Sequence, residues 1–308
     1  MNRAWRGALA GLLAVILIAS VGCSPKKLAV RAFANALASG GDVYASDEDP
    51  ELVAAALPFG LKTLESLLAA DPRNRNLLTA AASGFTQYAY AFVEQEADFV
   101  EESDLARATE LRARAGRLYR RALGYGWRAL ELDAPGLRQR VQSDPAAAAA
   151  WLAGLQARDV PLLYWTAASW AAAISLAKQE AELAADLGLV EAMMHRALAL
   201  DEGYAAGAVH EFFIVYEGSR ASVGGSFERA RQHFERALAL AAGRRAGVLV
   251  SFAETVSVAM QNRAEFARLL DQALAIDVDH TPEVRLANVL AQRRARWLRA
   301  RADELFVE

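Results

Sequence analysis

The sequence lacks most of what marks an enzyme. Its 308 residues include one cysteine and four histidines, and no Cys/His pair stands apart from the processed region near Cys23. No H-E-x-x-H, G-x-S-x-G or phosphate-loop pattern occurs. His210 and His233 fall in helical stretches, where a packed or surface histidine is the ordinary case. No catalytic residue, metal or cofactor is therefore expected. Only eight prolines occur, and no alternating apolar/polar run longer than a few residues competes with the abundant Ala, Leu, Arg and Glu, so helix is favoured throughout. The formal charge is −3 with a pI near 5.9. No basic face stands out except on the last helix, which argues against nucleic acid.

The N-terminus reads as a targeting segment. Arg3 and Arg6 precede an apolar core from Ala8 to Ala19, too short to span a bilayer as a helix. Small residues follow, then Cys23. A lone cysteine in that place resembles the lipidated cysteine of bacterial lipoproteins. Val21, Gly22 and Cys23 fit the pattern, while Ser20 stands where Leu is usual. Residues 1–22 are thus expected to be a signal peptide and residues 23–48 a tether. An acylated Cys23 would hold the protein on a membrane surface without a spanning helix. Ser24 resembles the sorting position of lipoproteins sent to the outer membrane.

The rest, residues 49–308, reads as one helical-repeat domain. In GGSFERARQHFERALALAAG, Gly225, Ala230, Phe234, Ala237 and Leu238 take the slots of a tetratricopeptide unit. Small residues at Ala230 and Ala237 admit a neighbouring helix, and Phe234 and Leu238 fill the same face. Its closing phrase recurs at Leu68, Leu130, Leu198, Leu238 and Leu274, with separations of 62, 68, 40 and 36 residues. Units of about 34 residues make the last two gaps single units and the first two near-doubled ones. The fold class is therefore all-α, an α-solenoid of tetratricopeptide-like helix pairs.

Asp49-Pro50 should open one helix, Asn74 or Asn76 the next, and Thr281-Pro282 the last. The arginines at 112, 114, 117, 120 and 121 read as a solvated row. The segment VPLLYWTAASWAAAISLA carries no charge until Lys178, but its alanines and hydroxyls favour a buried helix over a membrane span.

The helices that follow the repeat phrases are unusually apolar and aromatic: GFTQYAYAF, LLYWTAASW, VHEFFIVY and VLVSFAETVSVAM. In stacked helix pairs these helices line the concave side. They would present Tyr88, Phe92, Trp165, Trp170, Phe213 and Phe252, with Gln87, Glu211 and Glu254 as embedded polar groups. Few polar groups in an aromatic concavity suit a small molecule, although aromatics at helical spacing are more often core. A carboxylate in an apolar run needs a partner, for which Arg293 or Arg294 is the natural candidate.

Several stretches resemble one family, the T components of tetratricopeptide-protein-associated TRAP transporters, often written TatT. They are LPFGLKTLESLLAADPRN, SGFTQYAYAFV, VGGSFERARQHFERALAL, VSFAETVSVAMQNRAEFARLLDQAL and RLANVLAQRRARWLRARADELF. The resemblance implies a periplasmic lipoprotein, a helical-repeat fold and a homotrimer with a pore through each subunit. It also implies a TRAP-type substrate-binding partner that hands over a small organic, even hydrophobic, ligand. The family supplies no catalytic residues to carry over. The alternative is an envelope scaffold with protein partners only.

Overall fold

The computed structural model describes residues 41–177 and 180–307. The expected signal peptide, Cys23 and the tether as far as residue 40 lie outside the described residues. Every regular element among the described residues is helical, so the chain is all-α. The end of the expected tether is itself a helix, α1 (Gly41–Ala45). Next, α2 (Pro50–Ala70) begins where the sequence places it: Asp49 accepts a hydrogen bond from the Leu52 amide at 3.0 Å, and Pro50 sits in the first turn. Asn74, not Asn76, caps α3 (Arg75–Ala89), accepting from the Leu77 amide at 3.2 Å. A π-helical turn, Tyr90–Glu94, joins α3 to α4 (Gln95–Val100).

The long α5 (Leu105–Leu130) follows, capped by Asp104. Then come α6 (Leu137–Ser143), α7 (Pro145–Gly154), α8 (Val160–Leu176), α9 (Ala181–Ala185), α10 (Leu187–Leu200) and α11 (Ala208–Gly218). After the expected Ser226 cap comes α12 (Phe227–Ala241). The helix α13 (Ala246–Phe252) runs into a second π-helical turn, Ala253–Ser257. The chain ends with α14 (Arg263–Leu274), α15 (Arg285–Ala300) and α16 (Ala302–Leu305). Thr281 does not cap α15. Pro282–Val284 is a 3-10 turn, and the Thr281 hydroxyl accepts from Asn288 at 3.1 Å instead.

The leucines of the recurring phrase all fall in the last turns of α2, α5, α10, α12 and α14. Packing follows the chain: α3 rests on α2 and α5, α8 on α5, α3 and α10, α11 on α12, and α13 on α14 and α15. The last long helix then returns to the beginning, where α15 touches α1 and α2. Of the described helices, α2 is long and apolar enough to cross a membrane by length and composition. The apolar α8 is clasped among α3, α5 and α10, as its alanine-rich sequence suggests. One apolar cluster spans α2 to α11 and takes in Val209, Phe213 and Tyr216; a second, including Ile214, covers α11 to the C-terminus. The arginine row is not simply solvated. Arg112 reaches Asp98 and Glu101, Arg114 donates to the Tyr88 hydroxyl, and Arg120 and Arg121 pair with Glu180 and Glu65.

Close approach of helices rests on missing side chains. A Cβ at Gly225 would collide with the Glu217 carbonyl, so the turn between α11 and α12 admits only glycine there. A Cβ at Gly126 would overlap the Thr166 side chain where α5 crosses α8, whereas one at Gly124 would meet nothing within 4 Å. The two positions therefore respond with opposite signs. Gly124→Ala should stabilise the fold by about 0.5–1 kcal/mol through helix propensity alone. Gly126→Ala, overpacked against a β-branched neighbour, should destabilise it by about 1–3 kcal/mol. Denaturant unfolding of both variants checks this; equal effects would refute the tight α5–α8 crossing.

Candidate functional site

The residues singled out from the sequence divide into two groups. Trp170, Phe213 and Phe252 are fully buried, and they do not line a concavity. Trp170 packs edge-on against Trp127 at 5.4 Å, Phe213 lies between His195 and His233, and Phe252 stacks on Phe234 at 4.3 Å. Tyr88 is likewise buried and turned toward α5, where its hydroxyl accepts from Arg114 at 3.1 Å. The reason is geometric. A helix packed on three sides has one narrow free face, and these rings occupy the packed ones. Gln87 is exposed, with its amide folded back on the Ser83 carbonyl. Phe92 is half-buried beside Tyr88. Trp165 is half-buried and packs edge-on against Tyr164 at 5.0 Å.

Glu211 and Glu254 lie in the second group, and they find partners. Glu254 is held by Arg294 of α15, which also pairs with Asp98 at 2.9 Å. Glu211 pairs with Arg245 at 2.7 Å, not with the last helix. Around these pairs stand two tyrosines that the sequence reading passed over. Tyr90 is 55% exposed, yet its phenol is pushed well above its usual pKa, first by burial and then by Glu254. Tyr164 shows the same pattern: half-buried, raised by burial first and Glu211 next, and also sensing Tyr90. Tyr90, Tyr164, Glu211, Arg245, Glu254 and Arg294 are thus neighbours in space, although they come from distant parts of the chain.

Two of these groups sit on irregular helix. Tyr90 opens one π-helical turn and Glu254 lies in the other; these are the π-helical turns among the described residues. A π-turn inserts one residue into the helical repeat and rotates the face presented to neighbours. Tyr90 lies off the packed stripe that contains Phe85 and Tyr88, as helical periodicity already places it. The signal open to a reader was chemical: a carboxylate or phenol interrupting each apolar run. Further along the wall, Glu94 takes a hydrogen bond from Tyr119. Its pKa is raised by burial, with that hydrogen bond working the other way.

Two of the four histidines meet where α11 packs on α12. His210 Nδ1 and His233 Nδ1 are 2.8 Å apart, and His210 Nε2 lies 3.2 Å from Glu202. A carboxylate only accepts, so His210 carries its proton on Nε2 and His233 Nδ1–H donates to the bare His210 Nδ1. Glu202 is held to about 2, chiefly by Arg236. Burial, and then His210, depress His233 from 6.5 to about 4. On acidification the unfolded chain takes up this proton first, so stability falls from about pH 6.5 down to about pH 4 and is flat above. Between about pH 7 and pH 5 the wild type should lose ~1 kcal/mol more than His233→Gln, after allowance for partial solvation. Equal losses in pH-dependent unfolding would contradict the shared-proton pair.

With this geometry in hand, comparison with known proteins is informative. A family model described as TRAP transporter T-component matches residues 46–306. An uncharacterized protein of Treponema pallidum (strain Nichols) is 31% identical over 303 residues, covering 93% of this chain and 94% of that protein. The match runs from the residue after α1 through α16 and so includes each of these residues. The chain belongs to the TRAP transporter T-component family, the accessory part of a TRAP transport system.

Proposed function

We propose that this protein is a periplasmic lipoprotein, anchored through Cys23 to the outer membrane. It binds or passes a small organic ligand in the recess and docks the substrate-binding component of a TRAP-type system, as a homotrimer without enzymatic activity. The observation that carries the ligand part is Tyr90: a phenol open to water that lies close to Tyr164 and the two acid–arginine pairs. A recess with aromatic walls and few fixed polar groups suits a small molecule better than a peptide. The anchoring part is supported by the N-terminal pattern ending in Cys23. Partner and trimer rest on family membership.

A scaffold with protein partners only is favoured by one specific observation: Trp170, Phe213 and Phe252 are packed away between helices and cannot touch a ligand. Native mass spectrometry of protein purified from its source separates the two readings. The ligand reading expects a co-purifying small organic molecule that is lost in Tyr90→Glu while circular dichroism stays unchanged. A chain that carries no small molecule in any preparation, yet still captures a TRAP-type binding protein, would leave the scaffold.

A further inference from the structure

The first half of α2 carries an apolar stripe that the described residues leave uncovered. Leu52 is 58% and Phe59 79% exposed, and Ala55 between them is exposed as well. Their spacing of i, i+3 and i+7 puts the three on one side of the helix, away from the buried Val53, Leu61 and Leu64. A contiguous apolar stripe, unlike scattered single residues, marks a contact surface. The chain enters beside it. Helix α1 packs on α15 and on the Pro282–Val284 turn, and its Tyr44 hydroxyl would stand 3.3 Å from a Cβ at Gly60, next to Phe59.

Upstream of Gly41 the sequence repeats the spacing of the stripe, with Val30, Phe33 and Leu37 at i, i+3 and i+7. A constant offset of 22 residues sets Val30, Phe33 and Leu37 against Leu52, Ala55 and Phe59, so the large Phe33 meets the small Ala55. The same offset sets Lys26 and Lys27 against Glu48 and Asp49. Residues 24–40 contain three cations, Lys26, Lys27 and Arg31, and no acid, whereas Asp47, Glu48, Asp49 and Glu51 lead into α2. Among the described residues these four acids have one long ion pair, Glu51 to Arg293 at 3.9 Å. They would repel an anionic lipid surface and complement this segment. Ser39, Gly40 and Gly41 supply turn residues between Leu37 and α1. We infer that residues 26–37 dock on the exposed stripe of α2 as a parallel amphipathic helix, held by Phe33 and Leu37 and steered by Lys26 and Lys27. Cys23 then lies near the N-terminal end of α2, and an anchor there holds the domain by a fixed side.

Thiol labelling tests it on the processed chain carrying Cys23→Ser and Ala55→Cys, which leaves one thiol in the middle of the stripe. A polymer-linked maleimide should react with it about tenfold or more slowly than in the same chain with Phe33→Asp and Leu37→Asp. Lys26→Glu with Lys27→Glu should also speed labelling. Adding Glu48→Lys and Glu51→Lys should restore the slow rate in that variant, while speeding the chain that keeps both lysines. Equal rates with and without Phe33→Asp and Leu37→Asp would overturn the docked segment. A rate indifferent to those substitutions that falls with protein concentration would give the stripe to a second copy. One that falls only on phosphatidylethanolamine vesicles would give it to a lipid surface. Either of these results also overturns the inference.

Discussion

Closure of the molecule depends on Arg294. A guanidinium 11% exposed is costly unless its donors and its charge are answered. Here its charge is answered from three directions, by Glu254 on the π-turn after α13, Asp98 on α4 and the Trp297 ring one turn along its own helix, although Nη1 makes no hydrogen bond. One side chain thus ties the last long helix to the first helices of the domain. Trp297 adds an edge-on contact to Phe99 at 5.6 Å, and Arg293 reaches Glu96 at 3.5 Å. Removing one member of such a buried network typically costs about 3–5 kcal/mol, because the remaining charge is stranded.

The same economy explains why the recess is polar where the helices around it are greasy. Aromatic rings bury the most apolar area per side chain, so Trp170, Phe213 and Phe252 are drawn into the helix interfaces. What is left on the free face are groups that tolerate water on one side and protein on the other. Tyrosines and acid–arginine pairs meet that condition. The π-turns at Tyr90–Glu94 and Ala253–Ser257 make the division possible. Each changes the face that the following residues present to their neighbours.

Much of this was legible in the residues, and the limits are instructive. Caps at Asp49, Asn74 and Ser226 were readable because capping is local chemistry between neighbours in sequence. The repeat phrases marked the ends of the helices that carry them. Glu254 was readable as a carboxylate in need of an arginine, and Arg294 supplied it. By contrast, the assignment of rings to core or recess failed for Trp170, Phe213 and Phe252. Apolar residues on nearly every side of a helix leave periodicity without a preferred direction. Tyr90 and Tyr164 were passed over because their exposure is set by helices far away in the chain. The row from Arg112 to Arg121 looked solvated since its partners, such as Glu65 and Glu180, are distant in sequence.

The ligand reading requires that Tyr90 stand inside an enclosed hollow and not on the outer surface. Chemical labelling by size tests it most directly. In a chain with Cys23→Ser and Tyr90→Cys, the single thiol should react rapidly with a small methanethiosulfonate and hardly at all with a polymer-linked maleimide. Unfolding the protein should abolish the difference. Equal rates with both reagents in the folded chain would put that side chain on the open surface and contradict the account.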